Sequence, residues 1–265
     1  IDHIDSANVY GMGLSEKRIG SFLKLLSKQD KDFFKIATKG GIDGTPGAPK
    51  RCNNDPEYLT TELDNSLKRL GVDNIDLYYI HRRDPEWPIE VVVETLIKFK
   101  AAGKINQFGF SEISPTSLQK AANLHPVGAV QSEYSLGTRY AELGLIQKTA
   151  KLKTALVAFS PVGRSLLTDN PHSEQKVKSL SFLEDNPRFQ EPNLSANIKA
   201  TEGFRNLARD LGVSAAGLAL AWLLEQGPHI IPIPGTRSVD RLKEMVKGVN
   251  LKLSPSDLIA ISDCL

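Results

Sequence analysis

Apolar positions along the chain follow two alternating patterns. Short β-rich runs predict strands at His3–Ser6, Phe33–Lys39, Ile75–His81, Ile105–Ser111, Ala129–Ser135, Ala155–Pro161 and Ile230–Gly235. Between them, apolar residues recur at steps of three and four, as at Leu63, Leu67 and Leu70, which is the spacing of a helix face. The predicted helices are Glu16–Leu26, Glu57–Leu70, Ile89–Ala102, Thr116–Leu124, Leu145–Leu152, Asn197–Leu211, Ala215–Glu225, Val239–Val246 and Ser256–Asp263. Asp55-Pro56, Ser114-Pro115 and Ser254-Pro255 each set a capping oxygen before a proline suited to the first helical position. Gly71, Gly103 and Gly212 mark helix ends.

Alternating strands and helices imply an α/β fold with a parallel sheet and helical crossovers. A doubly wound nucleotide-binding fold calls for G-x-G-x-x-G after its first strand; Gly11-Met12-Gly13 lacks the third glycine. A (β/α)8 TIM-type barrel fits better. Asp5, Lys39, His81, Ser111, Gln131 and Ser160 are polar residues at or near predicted strand ends, and barrels of this type build their sites at the C-terminal strand ends. Seven strand–helix units are legible. Leu166–Ser195 contains no strand pattern and reads as a lid-like surface excursion. The expectation is one domain over residues 1–265, N-terminally incomplete, with its first strand and helix before Ile1.

The charge balance narrows the partners. Lys plus Arg number 33 and Asp plus Glu 31, a net charge of +2, so the basic excess of a nucleic-acid binder is missing. A chain 40% hydrophobic and 24% charged is expected to fold rather than stay disordered. The longest apolar stretches, such as Gly217 to Leu224, are too short to span a bilayer. Cys52 and Cys264 suit neither a disulfide framework nor a zinc site, and a reducing cytoplasm is the simplest setting.

Several strand-end segments carry chemistry together: Ile4-Asp5-Ser6-Ala7-Asn8-Val9-Tyr10-Gly11, Ala37-Thr38-Lys39-Gly40-Gly41, Ile75-Asp76-Leu77-Tyr78-Tyr79-Ile80-His81 and Ile231-Pro232-Ile233-Pro234-Gly235-Thr236-Arg237. With Gly109-Phe110-Ser111-Glu112, Val130-Gln131-Ser132-Glu133-Tyr134-Ser135-Leu136 and Phe159-Ser160-Pro161-Val162-Gly163-Arg164, the chain resembles the aldo-keto reductase family. Taken singly, each residue has a plainer reading: Asp5 as a turn cap, Lys39 as a solvated loop lysine, Tyr10 as a packed turn aromatic, His81 as part of a charged loop. It is their ordered succession that carries the resemblance.

The resemblance implies reduction of a small-molecule aldehyde or ketone by a tetrad of Asp5, Tyr10, Lys39 and His81. Tyr10 is then the proton donor. A free tyrosine titrates near 10, high for acid catalysis at neutral pH. A cation about 4 Å away, at an effective dielectric of roughly 20, is worth up to ~4 kcal/mol, or about three pK units. Lys39 is expected to supply that charge and lower the tyrosine pKa. Asp5 is expected to hold Lys39, and His81 to bond the substrate oxygen. His3 and Asp5 share a strand face, yet no further ligand cluster supports a metal there.

The implied cofactor is NADPH. Ser111, Glu112 and Gln131 are expected at its carboxamide, and Phe159 against the nicotinamide ring. Ser160, Pro161, Val162, Gly163 and Arg164 are expected along the pyrophosphate. Gly235, Thr236, Arg237, Arg241 and Glu244 fall at the adenosine end, where a helix N-terminus attracts phosphate. The sequence departs from the family pattern at Glu112, where many members have Asn, at Met245 beside Glu244, and at Gly137, where relatives often carry Trp. An alternative stays open: an NADPH-binding regulatory or sensor subunit with slow or no turnover. Substrate identity and oligomeric state are not legible.

Overall fold

The computed structural model describes residues 1–44 and 50–264. The chain divides into two compact units, Ile1–Ser132 with Gly144–Leu156, and Glu133–Leu143 with Val157–Leu265.

The first unit is built on parallel strands β1 (His3–Asp5), β2 (Lys35–Gly40), β5 (Ile75–Ile80), β6 (Ile105–Ser111) and β7 (Ala129–Glu133), adjacent in that order. Two short segments, β3 (Ile42–Asp43) and β4 (Arg51–Cys52), form an antiparallel pair after β2 that the periodicity misses, being only two residues each. The helices are α1 (Leu14–Lys24), α2 (Lys28–Phe33), α3 (Pro56–Leu70), α4 (Ile89–Ala101), α5 (Pro115–Leu124) and α6 (Leu145–Leu152). The expected α/β alternation is therefore present. The capping signals also hold: Asp55 and Ser114 accept backbone N–H bonds at the starts of α3 and α5. Leu59, Leu63 and Leu70 of α3 are fully buried, each worth about 1.5–3 kcal/mol relative to exposure. Opposite them the strands contribute Tyr78, Tyr79, Ile80, Phe108 and Phe110 to the core.

The second unit holds most of β8 (Ala155–Phe159) and all of β9 (Ile230–Pro232), with α7 (Glu174–Lys178), α8 (Asn193–Ala200), α9 (Glu202–Asp210), α10 (Ala215–Glu225), α11 (Val239–Val249) and α12 (Pro255–Asp263). Helix α10 is buried on nearly every face, from Ala215 through Leu223, as its uniformly apolar sequence requires.

Three expectations need correction. Phe33 belongs to α2, not to a strand, because Ser27 caps that turn by accepting from the Asp30 N–H. The helix expected over Asn197–Leu211 breaks at Thr201, whose hydroxyl donates back to the Asn197 carbonyl at 3.0 Å. The stretch from Leu166 to Ser195 has no strand, as expected, but it is not a loose excursion. Leu166, Val177, Leu183, Phe189 and Leu194 form a buried cluster of their own.

Candidate active site

Strand register gathers the polar residues of the first unit. Asp5 pairs with Ala37, Lys39 with Tyr79 and Ser111 with Gln131. Residues two apart share a sheet face, so Lys39 projects on the face of Ala37, beside Asp5. The Lys39 ammonium is fully buried and donates to the Asp5 carboxylate and, at 2.7 Å, to the Ser6 carbonyl. The other Asp5 oxygen accepts from Gln131 Nε2 at 2.9 Å. Burial pulls the Lys39 pKa down, and the Asp5 charge opposes this.

Tyr10 comes from the turn after β1, which closes with a Tyr10 N–H bond to the Ala7 carbonyl at 3.1 Å. The Lys39 ammonium stands 5.3 Å from the Tyr10 ring centre. His81, the residue after β5, meets that ring edge-on at 5.8 Å and 83°. The four residues expected to act together are thus neighbours. Their electrostatics differ from expectation at one point: the Tyr10 pKa is pushed up to about 12, first by desolvation and then by the Asp5 charge. The cation that opposes this is Arg82. His81 is pushed down to about 3 by burial, with Lys39, Arg82 and Lys50 adding to it. It is therefore neutral near pH 7, and its buried Nδ1 has no hydrogen-bond partner.

Two site residues escape the sequence reading. Arg82 bonds the His81 carbonyl at 2.6 Å and the Ser111 hydroxyl at 2.9 Å, linking the ends of β5 and β6. Asn54, fully buried, holds this turn by donating to the Arg82 carbonyl and accepting from the Asp84 N–H. Arg82 was legible only as one of several charges following His81. Asn54 lies 28 residues from Arg82 and leaves no local signal. Glu112 accepts from Ser132 at 3.1 Å and adopts φ 55°, a left-handed conformation that asparagine takes more readily.

In the second unit a cavity of about 390 Å³ opens beyond β8, within the size range of small-ligand pockets. Ser160, Pro161, Val162 and Arg164 line one side, and Gly235, Thr236, Arg241 and Glu244 another. The Leu166–Ser195 segment contributes Thr168, Asp169, Asn170, His172 and Phe182. Phe159 ends β8, half-buried. Gly163 is buried at φ 58° behind the lining, where Leu166 and Leu167 leave little space for a Cβ. Ser160, Arg164 and Ser165 also have positive φ, so this loop holds a backbone that side chains disfavour. Arg237 stands outside the lining, whereas Arg241 is in it. Arg164 bonds Glu133 at 3.2 Å through Nη2, while its buried Nε has no partner. An orphaned guanidinium N–H, Arg241 and the start of α11 suit a phosphate-bearing ligand.

Among the described residues no cluster of three or more His, Cys, Asp or Glu could hold a metal, and no single helix is long and apolar enough to cross a membrane.

The profile of the Aldo/keto reductase family matches residues 1–265. The chain is 37% identical over 263 residues to an aldo-keto reductase yakc [NADP(+)] of Schizosaccharomyces pombe, covering 98% of this chain and 77% of that one. It is 37% identical over 265 residues to a probable aldo-keto reductase 1 of Glycine max, covering 100% and 75%. A glycerol dehydrogenase structure from Gluconobacter oxydans superposes with a TM-score of 0.87 at 28% identity, covering 100% of this chain and 80% of that one. A strand-end cluster of this kind, with a match of this length, has one reading: the chain belongs to the aldo/keto reductase family.

Proposed function

We propose that this chain, acting as one domain in the cytoplasm, reduces a small aldehyde or ketone to an alcohol with NADPH. The observation that carries the reading is the buried Lys39–Asp5 pair beside Tyr10 and His81. Burying a lysine and a carboxylate is costly, and a site that does so at strand ends is a candidate for chemistry. The relative whose printed name carries NADP(+) supports the cofactor.

Bound NADPH would supply hydride to the carbonyl carbon. The phenol Oη of Tyr10 gives its proton to the carbonyl oxygen as negative charge develops there. A Tyr10 pKa near 12 keeps that proton in place at neutral pH. Lys39, held charged by Asp5, stabilises the tyrosinate that remains. Neutral His81 hydrogen-bonds the substrate oxygen and orients it. Gln131, which already donates to Asp5 through Nε2, would offer Oε1 to the carboxamide NH2, and Ser111 would offer its hydroxyl to the carboxamide oxygen. Phe159 would be the residue that holds the nicotinamide ring. Arg164 and the loop of Ser160, Pro161, Val162 and Gly163 would hold the pyrophosphate. Gly235, Thr236, Arg241 and Glu244 would hold the adenosine end, with Arg237 outside the cavity lining but available to it as a charge.

The test follows NADPH absorbance with a panel of aldehydes, ketones and sugars. Repeated fast turnover with at least one supports the reading. A single slow turnover, with tight NADPH binding, supports a sensor instead.

A further inference from the structure

One buried charge in the first unit has no part in the chemistry above. Glu16, in the first turn of α1, is 0% exposed. Its Oε1 accepts from the Thr38 hydroxyl at 2.6 Å, and its Oε2 accepts from Arg69 Nε at 2.5 Å. Thr38 precedes Lys39 on β2 and points to the opposite face, so Glu16 sits behind the strand that carries the buried lysine. Arg69 then reaches on to Ser66 at 3.1 Å and Glu62 at 3.7 Å, and Glu62 accepts from Asn8 at 2.8 Å. The same guanidinium packs under the turn that carries Tyr10. A Cβ on Gly13, at φ 83°, would lie 2.7 Å from the Arg69 Cδ. The turn is tied down twice more, by Ser6 Oγ to Ser15 Oγ at 2.9 Å and by the Ser15 N–H to the Tyr10 carbonyl at 3.2 Å.

We propose that Glu16, through Thr38 and Arg69, is a positioning residue for Lys39 and for the turn that presents Tyr10. This rests on the reductase reading above for its consequence in rate, but not for its effect on Lys39. The two charge-assisted bonds of Glu16 tie two different elements together, the strand that carries Lys39 and helix α3. The placement also gives it an electrostatic handle: its charge favours the ammonium form of Lys39. The groups facing that ammonium from other elements are Asp5, Tyr10, Tyr79, His81 and Arg82, and Asp5 is the one carboxylate among them.

The experiment compares wild type, Glu16→Gln and Thr38→Val. Lys39 is titrated by NMR on 13C-lysine-labelled protein without cofactor, its signal assigned by Lys39→Arg. NADPH affinity and kcat are measured alongside. Glu16→Gln keeps an acceptor for Thr38 and loses the charge, so the Lys39 midpoint moves to lower pH while surface lysines stay put. kcat falls by about tenfold or more, since small misplacements of reacting groups cost up to ~10²-fold, and NADPH affinity holds. In a parallel pair, Arg69→Lys, which keeps the opposing charge, retains more of the wild-type kcat than Arg69→Met. An unchanged Lys39 midpoint together with an unchanged kcat overturns the proposal. Where Glu16→Gln fails to fold, the near-isosteric Thr38→Val decides: a moved midpoint or a lowered kcat supports positioning, and neither overturns it. If wild type turns over no carbonyl, the reductase reading fails, and the titration alone still judges Glu16.

Discussion

The two units are built to different rules. In the first, Asp5, Lys39, Ser111 and Gln131 stand on regular strands, with Tyr10 and His81 on the turns after β1 and β5: Lys39 is fully buried, His81 is 8% exposed, and hydrogen bonds join Asp5 to Gln131 and Arg82 to Ser111. In the second, the cavity is walled by loops with left-handed residues at Ser160, Arg164 and Ser165, and one of its basic residues, Arg241, is exposed. The difference matches two tasks. Proton transfer needs groups fixed to a fraction of an ångström, which strands provide. A charged ligand needs reach and contacts along its length, which loops and helix ends provide.

Breaking the enclosed pair is expected to have the largest effect. Lys39→Met leaves the Asp5 carboxylate uncompensated and should destabilise the fold by about 3–5 kcal/mol in urea unfolding. Asp5→Asn combined with Lys39→Met should recover much of that loss. Single and double variants of equal stability would mean that the pair is not electrostatically coupled.

His81 gives the first unit an acid sensitivity. Its folded pKa of about 3 lies below the ordinary value of 6.5. The unfolded chain therefore binds the proton first, and stability is full above pH 6.5 and falls as pH drops towards 3. Between pH 6.5 and 5 the loss should be roughly 2 kcal/mol. His81→Gln, which cannot protonate, should show a correspondingly flatter pH dependence over that window. Parallel curves would remove the buried neutral histidine from the account.

The second unit should respond more gently and more to salt. Arg241→Ala is expected to weaken NADPH binding by about 1.5 kcal/mol, the low end for a charge-assisted bond, with NADH little changed. Arg237→Ala should do less, because Arg237 lies outside the cavity lining. Both effects should shrink as ionic strength rises. Calorimetric Kd values for both cofactors check this, and equal losses for NADH and NADPH would make Arg241 a structural residue of α11.

The same contrast explains what was legible in the sequence. Each predicted β-rich run contains a strand, because period-two patterning is a local property. Asp5, Lys39 and His81 were findable because strand ends are. Strands stopped short where the chain turns outward, as at Ser6, His81 and Pro161, since the ladder ends where site residues leave it. The inverted direction of the Tyr10 shift was not legible. It depends on how deeply the site is desolvated and on the Asp5 charge beside Tyr10, and both are tertiary facts. Asn54, Arg82 and Glu16 act across 28 to 53 residues of sequence, beyond any local pattern. In the second unit, the cluster of Leu166, Val177, Leu183, Phe189 and Leu194 has no regular period, so it read as loop.

The central claim is that the Tyr10 hydroxyl delivers the proton. It is tested most directly by kcat of Tyr10→Phe against wild type, on whichever carbonyl turns over best, with the NADPH Kd measured on both proteins. The ring stays and only the donor is lost, so kcat should fall by about 10²–10⁴-fold while Kd stays the same. A variant with wild-type kcat would contradict the assignment of Tyr10 and the mechanism built on it.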